Sequence, residues 1–98
     1  MLQVGTCQLD MQNYVFVSGL LATNLTQREA ELLKYFMENR NIVLKREQIL
    51  NQLWGDDDYF MGRSLDVFIS RLRKILILEK NISIENLHGI GFRFNASY

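Results

Sequence analysis

Apolar and polar residues change their spacing along this chain, and the changes divide it into elements. Residues 2–23 alternate loosely and are rich in Val, Leu, Tyr and Phe. Gly5, Asp10, Asn13 and Gly19 break them into runs of roughly 3–8, 9–12, 14–17 and 20–23, which predicts a small antiparallel meander. Asp10 and Gln12-Asn13 have the chemistry of turn residues. From Leu25 the period becomes helical. Thr26 is placed to cap a helix over 26–39, and Glu29, three residues on, completes a capping box. Ala30, Leu33, Phe36 and Met37 form its apolar stripe, Leu32 widens it, and Asn39-Arg40-Asn41 ends it. Ile42-Val43-Leu44 reads as a short bridge to a second helix over 45–54, with Ile49, Leu50, Leu53 and Trp54 on its apolar side and Gly55 as its stop. Residues 55–62 read as a loop, and residues 63–78 as a third helix. After a break at Glu79-Lys80-Asn81, residues 82–95 read as a hairpin. Its first strand is Ile82–Leu87, its turn His88-Gly-Ile-Gly91 and its return Phe92–Phe94.

The third helix has two contrasting faces. At about 3.6 residues per turn, Leu65, Phe68, Ile69, Leu72, Ile75 and Leu76 share an apolar side suited to burial. Arg63, Val67, Ser70, Arg71 and Lys74 gather opposite, with Arg73 and Asp66 at the border. A helix lying in a DNA major groove needs this division. Arginines can pair with phosphates or with the O6/N7 edge of guanine, and Val67 can touch a thymine methyl. The same pattern also describes an ordinary solvated basic face, so the helix alone leaves both readings open.

Composition changes this picture in one respect. The 98 residues are 48% hydrophobic and 22% charged, enough for one folded domain and too apolar for a disordered tail. Formal net charge is zero, which argues against a nucleic-acid binder held by bulk charge. The distribution matters more: residues 1–62 carry five Lys/Arg against eight Asp/Glu, and residues 63–80 carry five against two. The positive end is the third helix.

Other residues with chemical potential have modest readings. Cys7 is the only cysteine, so no internal disulfide forms, and it reads as a small packed residue. No apolar run approaches the ~20 residues of a membrane span and the first residues lack a secretory signal, so the expected place is the cytoplasm. The trio Asp56, Asp57 and Asp58 lacks the spacing of a calcium loop. Followed by Tyr59, Phe60 and Met61, it reads as a solvated loop or a docking surface for protein. The indole N–H of Trp54 can reach a phosphate at the surface, although a core role is the commoner one. His88, near the hairpin tip, can lie over a minor groove or be a surface residue without a role. One His, one Cys, no nucleophile–base spacing and no glycine-rich phosphate loop argue against an enzyme, and no cofactor or metal is expected.

Four motifs fall in a recognisable order: Leu25-Thr-x-x-Glu29 opening the first helix, Arg46-Glu-x-Ile-Leu-x-x-Leu-Trp-Gly55 closing the second, Arg63-Ser-Leu-Asp-Val-x-Ile-x-Arg-Leu-Arg-Lys74 on the third, and Gly89-Ile-Gly-Phe-Arg-Phe94 in the hairpin. With these the chain resembles, over about residues 2–95, the DNA-binding effector domain of OmpR/PhoB-type two-component response regulators. The resemblance implies an α+β fold, a winged helix-turn-helix with an N-terminal four-stranded antiparallel sheet, three helices and a C-terminal β-hairpin wing. It implies sequence-specific binding of double-stranded promoter DNA on tandem half-sites, and regulation of transcription.

Matched residue by residue, Val67 and Arg71 fall on base-facing positions, and Asn86 stands in the wing strand where relatives usually carry Thr. Trp54, Arg63, Ser70 and Arg73 fall on positions at the DNA backbone, and the helical wheel adds Lys74. His88 replaces a common wing-tip Arg at the minor groove. Residues 55–62, with Asp56, Asp57, Asp58, Tyr59, Phe60 and Met61, match a loop that touches RNA polymerase in some members. Phe68 and Ser70 replace a common His and Arg, so fewer cations face the DNA and a shallower salt dependence is expected. These departures, with the zero net charge, also fit a winged helix that binds protein through residues 56–61 instead of DNA. The family couples this domain to a phosphorylated receiver and a sensor kinase. Nothing here resembles a receiver, so the chain is either a domain excised from a longer protein, with Met1 added, or a stand-alone regulator, and excision is the favoured expectation.

Overall fold

The computed structural model describes residues 2–54, 59–77 and 79–97, with side chains throughout except at 54 and 59–64. The chain begins with strands β1 (Leu2–Val4), β2 (Cys7–Asp10), β3 (Val15–Ser18) and β4 (Leu21–Asn24), paired antiparallel in that order. The run expected over 3–8 is thus two strands, because Gly5 takes a positive φ of 59° and turns the chain between Val4 and Cys7. Alternation buries Val4, Cys7, Leu9 and Phe16 on one face of the sheet, as period-two patterning requires. The next turn is built by Asp10, whose Oδ1 accepts the Gln12 N–H at 2.9 Å and whose Oδ2 accepts Asn13 Nδ2 at 3.0 Å. Tyr14 follows in the left-handed region at φ 55°.

Helix α1 (Gln27–Glu38) starts at the expected capping box. The Thr26 hydroxyl accepts the Glu29 N–H at 3.2 Å, and Glu29 Oε1 accepts the Thr26 N–H at 2.8 Å. Two otherwise unpaired amides are satisfied, an arrangement in which losing the cap side chain typically costs about 1 kcal/mol. Ala30, Leu32, Leu33, Phe36 and Met37 are all buried. Asn39 ends the helix, its N–H shared between the carbonyls of Tyr35 and Phe36.

The bridge expected at 42–44 is a strand, β5 (Val43–Lys45), which pairs with the last strand of the chain. Asn41 sets its direction. It adopts φ 65°, donates its N–H to the Phe94 carbonyl at 2.7 Å, and exchanges side-chain hydrogen bonds with both backbone groups of Ala96. Helix α2 (Arg46–Trp54) follows at once. Helix α3 (Tyr59–Leu76) is longer at its start than the expected 63–78 and ends two residues sooner. Of the loop expected over 55–62, residues 59–62 are helical and 55–58 lie outside the described residues.

Strands β6 (Ile82–Leu87) and β7 (Gly91–Ala96) form the hairpin, and β5 completes a three-stranded sheet ordered β5-β7-β6. Gly91 is required by close approach: a Cβ there would lie 2.0 Å from the Leu44 carbonyl oxygen. Gly89 has φ 76° at the third position of the turn closed by Ile90 N–H to Leu87 O at 2.9 Å, a conformation glycine adopts without strain. The core lies between the sheets and helices. Leu65, Ile69, Leu72 and Leu76 of α3 are buried with Ile82, Ile84, Phe92 and Phe94 of the hairpin, and Phe36 stacks on Phe94 with ring centroids 6.2 Å apart. The architecture is a winged helix: α3 is held against the core with the hairpin beside it.

Candidate nucleic-acid interface

Burial of one side of α3 fixes what the other side presents. Asp66, Val67, Ser70, Arg71, Arg73 and Lys74 are exposed along the helix, Val67 at 53% of its surface. Helical spacing separates them into two rows. Asp66, Ser70 and Arg73 border a cleft of about 410 Å³ between α3 and the wing, whose other walls include Arg46, Asn86 and His88. Val67, Arg71 and Lys74 form the outer row and do not line the cleft. The expected site residues Ser70, Arg73, Asn86 and His88 are therefore brought together, with Val67, Arg71 and Lys74 beside them on the same helix. The side chains of Trp54, Arg63, Tyr59, Phe60 and Met61 lie outside what the structure describes, as do Asp56, Asp57 and Asp58 altogether.

Among the described residues, Arg46, Arg71, Arg73 and Arg93 each have a partner within the protein. Arg73 donates from Nε at 3.0 Å and from Nη2 at 2.8 Å to the Ile84 carbonyl, fastening the helix to the first wing strand. Its expected backbone role must share the guanidinium with this clamp, which occupies two of five donors. Arg46, which sequence reasoning passed over, donates from Nη1 to Asp66 Oδ1 at 2.8 Å and from Nη2 to Oδ2 at 3.4 Å, while its guanidinium carbon lies 5.8 Å from the centre of the Phe92 ring. This pair joins the start of α2 to α3 across 20 residues. Arg71 Nη1 lies 3.7 Å from Glu29 Oε2, where the carboxylate side chain is 8% exposed and the arginine 57%. Helical wheels of single elements carry no signal for contacts of this kind.

The wing has its own charge arrangement. Arg93 Nη2 donates to Glu85 Oε1 at 2.6 Å, and Asn95 Nδ2 donates to the same oxygen at 3.2 Å. Arg93 first, then Asn95, holds the Glu85 carboxyl below its usual range. Asn86 and His88 are exposed on the strand and turn facing the cleft. Hydrogen-bond donors and acceptors thus line both walls, the helix supplying Ser70 and Arg73 and the wing supplying Asn86 and His88.

A second cleft of about 410 Å³ lies between the β2–β3 turn, α1 and the end of α2. Arg28, Lys34, Glu31 and Glu38 line it, so its charge is mixed. Cys7 is buried, and burial first, then hydrogen bonding to Glu79 and its negative charge, pushes its thiol up to about 11. It packs as the small residue expected. Ser18 also donates to Glu79, tying the first sheet to the segment after α3. Among the described residues no cluster of three or more His, Cys, Asp or Glu could hold a metal, and no helix is long and apolar enough to cross a membrane.

Comparison with known proteins agrees with this geometry. The family described as transcriptional regulatory protein, C terminal, matches residues 21–94. The transcriptional regulatory protein RprY of Bacteroides fragilis is 38% identical over 91 residues, 93% of this chain and 39% of its own length. The phosphate regulon transcriptional regulatory protein PhoB of Escherichia coli is 33% identical over 91 residues, 92% of this chain and 40% of its own length. The chain thus spans about two fifths of the length of these curated relatives. Among solved structures, the DNA-binding domain of Klebsiella pneumoniae RstA in complex with the RstA box superposes with a TM-score of 0.79 at 27% identity, covering 96% of this chain and 95% of that one.

Proposed function

Because this chain belongs to the family of transcriptional regulatory protein C-terminal domains, we propose that it binds double-stranded promoter DNA sequence-specifically, as the effector domain of a two-component response regulator. The observation that carries the reading is the pairing of the exposed row Val67, Arg71 and Lys74 on α3 with the cleft between α3 and the wing. A helix entering a major groove presents side chains from one face to the base edges while its flanks meet phosphates. Val67 and Arg71 take the base-facing role, Val67 toward a thymine methyl and Arg71 toward guanine O6 and N7. Lys74, Ser70 and the free donors of Arg73 lie at the backbone, as do Arg63 and Trp54. Asn86 reads a base or holds a phosphate from the wing, and His88 meets the minor groove. RstA, whose DNA-binding domain is seen in complex with its box, supports DNA binding by this fold.

In this reading the domain acts in the cytoplasm within a longer protein. A receiver domain and its sensor kinase control it, and residues 55–62, including Asp56–Met61, meet an RNA polymerase subunit. Pairing of Arg46 with Asp66 and of Arg71 with Glu29 offsets part of the positive charge, and the Ile84 carbonyl takes two donors of Arg73. A single domain that neutralises on the order of three or four phosphates has a log-log salt slope of about −3.

The test is selection of binding sites from randomised duplex DNA at two salt concentrations. Enrichment of a half-site repeated at about one helical turn, weakening with salt, is expected. No enrichment at low salt, together with a salt-insensitive protein complex through residues 56–61, would replace DNA binding with protein docking.

A further inference from the structure

Arg71 is long and half exposed, yet it lies against a buried carboxylate on a different helix. That carboxylate already has a structural task. Glu29 Oε1 accepts the Thr26 N–H at 2.8 Å in the cap of α1, so the side chain cannot turn freely, and its second oxygen is left facing Arg71. The contact of 3.7 Å is short enough for attraction, moderated by solvent on the arginine side, and longer than the 2.7–3.2 Å of a hydrogen bond. The pair therefore restrains the guanidinium without occupying its donors, and all five stay available to a base edge.

We propose that Glu29 is a positioning residue for Arg71, so that discrimination at one base pair depends on the N-terminal cap of α1. The inference rests on the base-facing reading of Arg71 and deepens it. A free arginine loses much side-chain freedom when it forms a bidentate contact with guanine. An arginine already held by Glu29 in the unbound protein loses less on binding, and it is aimed at one position of the site. The capping box thereby couples the packing of α1 to the chemistry of α3. Because Glu29 is negative, it also repels nearby phosphates. Specificity and total affinity should accordingly move in opposite directions when its charge is removed.

The experiment is quantitative selection from a randomised duplex library with the wild type, Glu29→Gln, Arg71→Ala and the double variant, reading the preference ratio at every base pair. Glutamine keeps an oxygen that can accept the Thr26 N–H while removing the charge. Arg71→Ala is expected to lower the ratio at one base pair by about tenfold. Glu29→Gln is expected to lower it at that same base pair by about threefold or more, with equal or stronger binding to unrelated DNA. The double variant should match Arg71→Ala. If Arg71→Ala flattens a position that Glu29→Gln leaves at the wild-type ratio, or sharpens, the positioning role is wrong and the base-reading role stands. If Arg71→Ala changes no ratio, the underlying reading of Arg71 fails, and the inference with it. A measurement that needs no variant covers the case in which Glu29→Gln does not fold. The Arg71 Nε–H resonance of the unbound wild-type chain should be dispersed and motionally restricted, and a freely averaged signal overturns the proposal.

Discussion

The two sheets of this domain follow the same pairing rules and carry opposite chemistry. The first 24 residues, which include all of β1–β4, contain no Lys or Arg, and their only charged side chain is Asp10. Asp10 is satisfied within its own turn, and the Ser18 hydroxyl by Glu79 of the segment after α3. The second sheet contains Lys45, Glu85 and Arg93 within fifteen residues of β5, β6 and β7, and Arg73 and Arg46 dock against it from α3 and α2. Both sheets bury one face in the shared core. What separates them is that only the second places cations and hydrogen-bonding side chains beside the exposed row of α3. A polyanion has a reason to meet that side of the molecule and none to meet the other, even though the net charge is zero.

Removing the element that joins the second sheet to the core should have the largest effect. Phe94 is buried and stacked on Phe36, and Phe94→Ala is expected to cost about 3–5 kcal/mol, read as a lower urea midpoint. That is a large share of the ~5–15 kcal/mol typical of a domain. A loss below about 1 kcal/mol would show that the wing is only loosely attached.

The first sheet can be probed through Cys7. Its thiol, raised from 9.0 to about 11, keeps its proton throughout the neutral range. The two-unit difference leaves about a hundredfold less thiolate than an ordinary cysteine has. Native protein should react with a disulfide reagent at pH 8 at least about a hundredfold more slowly than protein in denaturant. Equal rates would mean that this sheet is open to solvent.

Arg73→Ala sharpens the comparison, because it removes two hydrogen bonds between α3 and β6 without touching the first sheet. A stability loss of about 1–2 kcal/mol is expected, with faster amide exchange in Ile82–Leu87 and unchanged exchange in β2 and β3. Uniform loss of protection would contradict independent clamping of the wing.

The smallest effects concern one carboxylate in each sheet. Asp10 is held below its usual range by hydrogen bonds from the Asn13 side chain and then the Gln12 N–H, and Glu85 by Arg93 and then Asn95. Both folded values lie below the unfolded ones. Each group therefore contributes stability above its unfolded pKa that is lost as pH falls through its folded pKa. Added salt should move Glu85 back toward its ordinary value more than Asp10, because a charged partner is the largest cause at Glu85, whereas neutral donors lead at Asp10 and positive charge contributes least there. Carboxyl carbon shifts followed by NMR through an acid titration, at low and high salt, distinguish the two.

The elements that could be read from the sequence were those specified by neighbours. Thr26 and Glu29 announce their cap three residues apart, and the stripe Leu65, Ile69, Leu72 and Leu76 announces the buried side of α3. Long-range pairing was not readable. A three-residue strand at Val43–Lys45 has too little pattern to declare itself, and its partner lies some fifty residues away in β7. The early start of α3 is hidden by Gly62, which costs about 1 kcal/mol in a helix and so reads as loop. In the candidate site the helical wheel separates exposed from buried residues of α3 over the described side chains of 65–76. It placed Arg73 toward DNA without the Ile84 carbonyl that holds it, and it could not reveal Arg46 against Asp66 or Glu29 against Arg71. Those pairs join separate elements, and only the fold brings them together.

The most direct test is titration of nitrogen-labelled protein with the duplex recovered by selection, following every backbone amide. The largest shift changes are expected at Val67, Ser70, Arg71 and Lys74 on α3 and at Asn86 and His88 on the wing, with β1–β3 unmoved. Changes concentrated in β1–β4, or around Arg28, Lys34 and Tyr35 in the cleft between α1 and α2, would contradict the proposed interface.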